Sequence, residues 1–237
     1  MKPSPQGAFV SLPGGIEELV NALVAAITPG TIVTGTRVTA LRHANTFVLE
    51  TTRGTIQARA VILAVPAYAA GNNGGWVIHI LPGTYREVIT IPREKPHIHF
   101  KGDNATTTIL TYNKAASDKE HGKAIGTFRT PSVSVLADDF TAEHITFANS
   151  FGRGSQALAI TIAGDRDAFD DCRFIGYQDT IFADSRGRNY FHNCYIAGAT
   201  DFIFGKSTAV FDHCDIHSVG GGYLTAASTD QAAPFGY

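Results

Sequence analysis

The first seventy residues combine one helical pattern with three strand patterns. Six apolar residues recur at the spacing of a single helix face and predict a helix: Ile16, Leu19, Val20, Leu23, Val24 and Ile27. Pro29 and Gly30 are expected to end it. Segments rich in Val, Ile and Thr follow and predict strands over residues 31–41, 46–52 and 55–65. We therefore expect a small α+β segment here.

The pattern changes after residue 75, where short strands rich in Val, Ile and Phe alternate with Gly, Asn and Asp. One hexapeptide recurs as Phe169-Asp-Asp-Cys-Arg-Phe, Phe191-His-Asn-Cys-Tyr-Ile and Phe211-Asp-His-Cys-Asp-Ile, spaced by 22 and then 20 residues. Phe140 and Ile145 repeat its two ends upstream. A period near twenty is typical of a β-solenoid, in which each coil buries its inward side chains against a similar neighbour.

The three cysteines hold the same place in the three hexapeptides. Cys172, Cys194 and Cys214 are therefore expected to form a ladder inside the solenoid, as small apolar core residues. A disulfide between neighbouring coils is the alternative, because strands about 4.8 Å apart bring Cα atoms within the range that a disulfide spans.

The flexible polar sequence Gly71-Asn-Asn-Gly-Gly predicts a boundary between residues 1–70 and residues 71–237. Charge is balanced, with 19 Lys and Arg against 21 Asp and Glu, so neither nucleic acid nor an anionic membrane is predicted as a partner. The first fifteen residues do not resemble a secretory signal, and the longest apolar run, residues 60–65, is too short to span a bilayer. The sequence contains no Cys-x-x-Cys pair that would suggest a zinc site.

The repeat also aligns two carboxyl groups. Gly176-Tyr-Gln-Asp-Thr-Ile-Phe matches Gly198-Ala-Thr-Asp-Phe-Ile-Phe, which places Asp179 and Asp201 on neighbouring coils, 22 residues apart. Two stacked carboxyl groups cannot both ionise at low cost, so one pKa should rise and the other fall. This asymmetry favours one acid and one nucleophile. Aspartates in turns or a solvated ladder are the alternative.

Two amides follow the same spacing, since Gln156 precedes Gln178 by 22 residues. Side-chain amides are donors suited to the negative oxygen of a tetrahedral intermediate. Two acids and two amides in register predict a catalytic site that needs no serine or cysteine nucleophile.

These segments resemble the pectinesterase family. The similar motifs are Gly83-Thr-Tyr-Arg-Glu, Gln156-Ala-Leu-Ala-Ile, Gly176-Tyr-Gln-Asp-Thr and Asp201-Phe-Ile-Phe-Gly, with Thr225-Ala-Ala-Ser as a further coil. The resemblance covers roughly residues 72–237. It implies an all-β fold, a right-handed single-stranded parallel β-helix like that of the pectin lyases.

The resemblance implies hydrolysis of the methyl esters of polygalacturonate, with release of methanol. Asp201 would attack the ester carbonyl, while Asp179 would protonate the departing methanol and then activate water. Gln156 and Gln178 would hold the oxyanion. The implied partner is methylated polygalacturonan (pectin), and no metal or organic cofactor is implied.

Two aromatic residues beside the acids, Tyr177 and Phe202, are expected to pack against sugar faces. For Phe202 a plain core position is an equal alternative.

The family's later Leu-Gly-Arg-Pro-Trp motif has no counterpart before Tyr237. We therefore expect a C-terminally truncated solenoid. The chain is expected to be a monomer with an exposed solenoid end that is prone to association. The resemblance implies an extracellular or periplasmic location, although no signal peptide is visible.

Residues 9–70 resemble an internal segment of the flavin-containing protoporphyrinogen and amine oxidases. The similar stretches are Phe9-Val-Ser-Leu-Pro-Gly-Gly-Ile-Glu-Glu-Leu, Thr39-Ala-Leu and Ala60-Val-Ile-Leu-Ala-Val-Pro-Ala-Tyr-Ala-Ala. No Gly-x-Gly-x-x-Gly turn is present, so this segment is expected not to bind FAD. The alternatives left open are a flavin oxidoreductase, an inactive β-helix that binds polysaccharide or acts as a scaffold, and a pectate lyase or polygalacturonase.

Overall fold

The computed structural model describes residues 33–43, 46–58, 75–184, 187–233 and 235–236, together with Ala25 and Thr28. The chain divides into two compact units, Met1–Val65 and Pro66–Tyr237. The predicted helix, apart from Ala25, and residues 71–74 of the predicted boundary lie outside the described residues. Among the described residues there is no helix with the length and apolar character that a membrane span requires.

The first unit contains an antiparallel sheet of three strands in the order β1-β2-β3. The strands are β1 (Val38–His43), β2 (Phe47–Thr51) and β3 (Gly54–Ala58). Each overlaps one of the three predicted strands. Gly54, at the start of β3, has φ 122°, a conformation that favours glycine after a tight turn.

In its described residues the second unit is a single-stranded parallel β-helix of six coils, each with three strands in the sheets. In chain order the strands are β4 (Trp76–Ile80), β5 (Gly83–Arg86), β6 (Ile89–Ile91); β7 (Ile98–Gly102), β8 (Thr108–Tyr112), the hairpin β9 (Lys119–Glu120) and β10 (Lys123–Ala124), a 3-10 helix (Thr127–Arg129), β11 (Val133–Val135); β12 (Thr141–Glu143), β13 (Thr146–Asn149), β14 (Ile160–Ile162); β15 (Asp167–Asp170), β16 (Arg173–Ile175), β17 (Ile181–Ala183); β18 (Arg188–His192), β19 (Tyr195–Gly198), β20 (Ile203–Gly205); β21 (Thr208–Asp212), β22 (Asp215–Ser218) and β23 (Thr225–Ala227).

Three parallel sheets run along this solenoid. Sheet 1 has the order β6-β11-β14-β17-β20-β23, sheet 2 the order β4-β7-β12-β15-β18-β21, and sheet 3 the order β5-β8-β13-β16-β19-β22. Every coil thus contributes one strand to each sheet, and the hairpin β9-β10 extends from the second coil. The predicted parallel β-helix is confirmed.

The predicted hexapeptide repeat lies in register across three coils. Phe169 pairs with Phe191, and Phe191 pairs with Phe211. The Phe191 ring lies 5.1 Å from that of Phe169 and 4.7 Å from that of Phe211, and both pairs are nearly parallel. Phe169 and Phe191 are fully buried, so this stack is part of the continuous core.

The upstream copy of the hexapeptide was placed wrongly by two residues. Ala142, not Phe140, pairs with Phe169, and Phe147, not Ile145, pairs with Phe174. The reason is volume: Ala142 leaves space at the aromatic position of this coil. The Phe140 ring fills space beside it, 5.8 Å from the Phe169 ring.

A two-residue turn joins sheet 2 to sheet 3 in the last four coils. Its first residue has a positive φ each time: 57° at His144, 47° at Asp171, 51° at Asn193 and 53° at His213. Asp, Asn and His adopt this left-handed conformation more readily than β-branched residues do. The second residue points into the core, which explains the cysteine column.

Cys172 and Cys194 are fully buried and Cys214 is half-buried. All three are free thiols in this structure. The interior ladder is therefore confirmed, with the cysteines as small core residues rather than as a disulfide. Burial raises the pKa of the Cys194 thiol to about 12, which makes it a poor nucleophile.

Candidate active site

Backbone hydrogen bonds align the two predicted acids. The Asp179 N–H donates to the Thr200 carbonyl at 3.1 Å, and the Ala157 N–H donates to the Gln178 carbonyl at 3.1 Å. In a parallel pair a residue's N–H bonds to the carbonyl that precedes its partner. Ala157 therefore lies opposite Asp179, and Asp179 lies opposite Asp201. The 22-residue register is present where the chain enters sheet 1.

The predicted amides occupy the preceding position on their coils. Gln178 forms a parallel bridge with Thr200, and the same offset places Gln156 opposite Gln178. Both glutamine side chains are half-buried. In the described part of the chain neither side-chain amide makes a hydrogen bond, although the Gln156 carbonyl accepts from the Ala116 N–H at 2.8 Å. Both amides are therefore available to donate to a ligand.

The register between the third and fourth coils shifts by one residue after Ala157. The N–H groups of Ala159 and Ile160 both donate to the Thr180 carbonyl, at 2.9 and 3.2 Å. From Ile160 onward the offset is 21 residues, since Ile160 pairs with Ile181. This is a β-bulge, a feature that redirects side chains and is common beside active sites. It lies one coil before Asp179.

Both acids have an unusual backbone conformation. Asp179 has φ 63° and Asp201 has φ 48°. Left-handed conformations are uncommon outside glycine, and aspartate is among the residues that adopt them most readily. The conformation is held because the following residues, Thr180 and Phe202, are fully buried. The two carboxyl groups are therefore presented in the same way on successive coils.

The environment of Asp179 favours the neutral acid. Asp179 is largely buried, with 9% of the residue exposed. Burial raises the pKa of Asp179 to about 6, and the negative charge of Asp201 adds to the shift. A carboxyl group with this pKa can hold a proton near neutral pH and give it to a leaving group. The predicted rise of one pKa is present at Asp179.

Tyr177 and Phe202 have different surroundings. The Tyr177 ring is half-buried, and the Arg153 guanidinium lies 5.0 Å from its centroid. A Cβ added at Gly220 would lie 2.9 Å from the Tyr177 hydroxyl oxygen, so this glycine allows the ring to pack there. Phe202 is fully buried and belongs to the hydrophobic core. The core alternative therefore describes Phe202, because a ring without exposed surface cannot contact a sugar.

Three aromatic residues that the sequence analysis missed lie on the outer side of sheet 1. The Phe182 and Phe204 rings are stacked, with centroids 4.7 Å apart, and the Phe128 ring lies 4.9 Å from that of Phe182. Phe128 is 66% exposed. The available signal was strand alternation: two residues after each acid an isoleucine points inward, and three residues after it a phenylalanine points outward.

Comparison with known proteins identifies similar sequences. A family model described as Pectinesterase matches residues 47–228. Pectinesterase 31 of Arabidopsis thaliana is 45% identical over 171 residues, which are 70% of this chain and 54% of the relative. Probable pectinesterase A of Neosartorya fischeri is 43% identical over 159 residues, which are 65% of this chain and 48% of the relative. The family match begins upstream of the predicted boundary at residue 71.

Solved structures with the same fold are also similar. The pectin methylesterase PemA from Erwinia chrysanthemi has a TM-score of 0.64 at 32% identity, with 71% of this chain and 56% of that chain covered. A pectin methylesterase solved in complex with a hexasaccharide has a TM-score of 0.63 at 32% identity, with 73% and 56% covered. The chain spans about half the length of the curated relatives it matches.

Proposed function

The chain belongs to the pectinesterase family, and from that premise we propose that it hydrolyses the methyl esters of pectin and releases methanol. The observation that carries the proposal is the alignment of Asp179 and Asp201 on adjacent coils, with the pKa of Asp179 raised to about 6. One carboxyl group then serves as a proton donor while its neighbour attacks.

In the first half of the reaction the Asp201 carboxylate attacks the ester carbonyl carbon. A C–O bond forms, and the carbonyl electron pair moves to the oxygen, which becomes an oxyanion. The side-chain amides of Gln156 and Gln178 donate hydrogen bonds to it. The intermediate collapses, the bond to the methoxy oxygen breaks, and that oxygen takes the proton of Asp179. Methanol leaves, and an acyl-enzyme anhydride at Asp201 remains.

In the second half Asp179, now ionised, acts as the general base. It takes a proton from water while the water oxygen attacks the acyl carbon. The bond to Asp201 breaks, and its carboxylate is restored. The products are the free uronate carboxyl group and an enzyme with Asp179 protonated again, so each group returns to its starting state.

The outer face of sheet 1 supplies a surface for a polysaccharide. Phe128, Phe182 and Phe204 form one aromatic row. Tyr177 lies two residues before Asp179, on the same coil as Phe182. Aromatic rings combine a large apolar face with a defined orientation, which suits the apolar faces of sugar rings. We assign the sugar contacts to this row and to Tyr177, in place of Phe202.

Methanol release from highly methylated pectin by the 237-residue chain tests the proposal. Asp201→Asn should lower the rate by roughly a thousandfold or more, because the nucleophile is lost. Asparagine tolerates the positive φ at this position, so the fold should be kept. Asp215→Asn, at an exposed carboxylate in β22, is the matched control and should keep the full rate.

Three outcomes would contradict the proposal. Folded protein that releases no methanol would instead be an inactive β-helix that binds polysaccharide or acts as a scaffold. A rate that Asp201→Asn leaves unchanged would place the nucleophile elsewhere. Unsaturated products, or new reducing ends from demethylated pectin, would indicate a lyase or a polygalacturonase.

A further inference from the structure

A second group of polar side chains lies on the outer face of sheet 2, away from the acids of sheet 1. His192 ends β18 and pairs in register with Asp212, which ends β21. His213 follows as the first residue of the turn with positive φ. One ligand atom from each of these three residues lies within 4.8 Å of the others. Two imidazoles and a carboxylate therefore meet at the junction of the fifth and sixth coils.

Neighbouring groups fix the orientation of these side chains. His192 Nδ1 lies 2.7 Å from Asp170 Oδ1, which leaves its Nε2 for another ligand. His213 Nδ1 lies 2.7 Å from Asp212 Oδ1. The Tyr190 hydroxyl donates to Asp212 Oδ2 at 2.6 Å. A carboxylate that holds the second nitrogen of an imidazole, as Asp170 holds that of His192, is a usual supporting group of a metal-binding histidine.

We propose that His192, Asp212 and His213 bind one divalent transition-metal ion, with Zn²⁺ as the first candidate. Two imidazole nitrogens and a carboxylate suit zinc, copper or nickel, whereas calcium and magnesium prefer oxygen ligands alone. The ion replaces the proton shared by Asp212 and His213, and water completes four-coordination. Metal–ligand bonds of about 2.0–2.1 Å place the ligand atoms of a tetrahedral site about 3.3 Å from one another. His213 Nδ1 and Asp212 Oδ1 must therefore separate from 2.7 Å to admit the ion, while ligand atoms up to 4.8 Å apart move closer. The His213 side chain is 76% exposed and is free to make this movement.

The ion would link strands β18 and β21, so its role is structural. Because it binds the folded coil and not the separated strands, it stabilises the attachment of the sixth coil to the fifth. The proposed ester hydrolysis uses Asp179 and Asp201, which lie just before strands of sheet 1, and needs no metal. The metal site and the proposed function can therefore fail independently of each other.

The chain contains a matched control for this site. His144 occupies the same turn position three coils earlier than His213, with φ 57° against 53°. It also has a carboxylate partner, since its Nδ1 lies 2.8 Å from Asp171 Oδ2. Within the described residues, however, His144 is not part of a group of three ligands. Removal of His144 therefore changes the same kind of turn without changing the proposed site.

The test is calorimetric titration of the chelator-treated 237-residue chain with ZnCl₂. We expect one ion per chain, affinity lowered by about tenfold or more in both His213→Asn and His192→Asn, and unchanged affinity in His144→Asn. Asparagine is suited to the turn because Asn193 occupies the same position with φ 51°. Zinc should also raise the melting temperature of the parent chain more than that of His213→Asn.

Cobalt gives a second readout that does not depend on stability. Co²⁺ bound by two imidazoles and a carboxylate should show visible absorption bands in the parent chain and in His144→Asn, and neither His213→Asn nor His192→Asn should show them. Circular dichroism checks that every variant is folded. The proposal is overturned by equal zinc affinity in all variants, or by the absence of binding at millimolar metal. Methanol release should be the same with zinc and with chelator.

Discussion

Burial gives two aspartates of this chain a proton at a pH where a free aspartate is ionised. The pKa of Asp179 is raised to about 6 and that of Asp167 to about 7. Asp179 lies beside Asp201, where a proton donor serves the proposed reaction. Asp167 begins β15 in sheet 2 and has no part in the proposed reaction, with 1% of the residue exposed. The same physical cause therefore has a functional consequence at one residue and a stability consequence at the other.

The raised pKa of Asp179 predicts the pH dependence of the proposed esterase. Asp179 must carry a proton when methanol departs, so kcat/KM should fall as pH rises through about 6, by about tenfold per pH unit beyond it. Initial rates of methanol release across roughly pH 4 to 9 measure this profile. A profile that is flat or rising through pH 6 would exclude Asp179 as the acid.

A direct titration gives the control for this profile. Asp201→Asn removes the negative charge that adds to the shift, so the midpoint of Asp179 should move to lower pH in this variant. Carbon NMR of the labelled Asp179 carboxyl measures the midpoint. The midpoint should stay above the ordinary value of 3.8, because burial is the larger cause.

Replacement of Asp167 by asparagine should stabilise the protein at alkaline pH. Asp167 Oδ1 accepts from the Phe140 N–H at 2.9 Å, whereas Oδ2 has no hydrogen-bond partner among the described residues. The folded state keeps the proton up to about pH 7, while the unfolded chain loses it near 3.8. The contribution of the Asp167 carboxyl to the free energy of unfolding is therefore fully present below about pH 3.8 and is lost as pH rises through about 7. Asp167→Asn should exceed the parent by about 4 kcal/mol at pH 8 and match it near pH 4.

Urea unfolding of both proteins at the two pH values measures this difference. Asp165 supplies a control of opposite sign: its bond to Arg188 Nη2, at 2.6 Å, lowers its pKa. Asp165→Asn should therefore destabilise the protein at pH 8, with the loss growing as pH rises from acid. If the difference between Asp167→Asn and the parent is the same at both pH values, the Asp167 carboxyl is ionised in the folded state.

Residue positions were predictable where they followed from spacing. The 22-residue interval gave the alignment of Asp179 with Asp201, but it did not say which neighbouring aromatic points outward. Phe202 adjoins Asp201 in sequence and is buried, whereas Phe204, two residues further on, faces outward. Strand alternation gives the side of the sheet only once the first residue of the strand is known, and the sequence pattern does not mark where the left-handed acid ends and the strand begins.

At the scale of the strand, β17 and β20 have one side in the core and the other side on the outer face of sheet 1. Their inward residues Ile181 and Ile203 are buried in the core, and their outward residues Phe182 and Phe204 stack on each other. The inner positions therefore determine stability, and the outer positions are available to a ligand. This division allows binding to be changed with little effect on folding.

Phe204→Ala should raise KM for methylated pectin by about tenfold, with kcat changed less, because a ring that contacts sugar binds ground and transition states alike. Steady-state methanol release measures both constants. Val210→Ala, at an exposed position of sheet 2, is the control and should leave both unchanged. An unchanged KM in Phe204→Ala would remove the aromatic row from the sugar surface and would leave the proposed chemistry of the acids untouched.

Element prediction succeeded where the repeat was regular and failed where residue size broke it. The hexapeptides from Phe169 onward contain large residues at both ends, and their register was predicted correctly. In the third coil a small residue, Ala142, occupies the aromatic position, and Phe140 compensates from outside the repeat. Packing conserves total volume rather than the residue at each position, so a search for like residues selects the wrong frame.

At the scale of the molecule the stacking of coils was predictable, because a repeat near twenty residues admits few other folds. Contacts between coils that do not follow the repeat were not. His192, Asp212 and His213 meet because a strand end of one coil lies beside a turn of the next. Their spacing in sequence matches no familiar metal motif. The division at residue 71 into an oxidase-like segment and a β-helix stays a prediction.

The six coils should not be equally stable. Within the described residues β4 pairs only with β7, and β23 only with β20, whereas strands of the middle coils pair on both sides. All residues of β22 are exposed and all residues of β13 are buried. In a solenoid each coil is held mainly by its neighbours, so a terminal coil loses about half of its interface.

Hydrogen exchange should therefore be slowest in the third and fourth coils and should become faster toward both ends. The amides of β13 and β16 should exchange at least about thirtyfold more slowly than those of β22 and β23, which corresponds to about 2 kcal/mol of local opening free energy. Exchange of the 237-residue chain followed by mass spectrometry resolves the coils, because each spans about twenty residues or more. Equal protection in all six coils would mean that the solenoid opens as one cooperative unit, and it would contradict separate opening of the terminal coils.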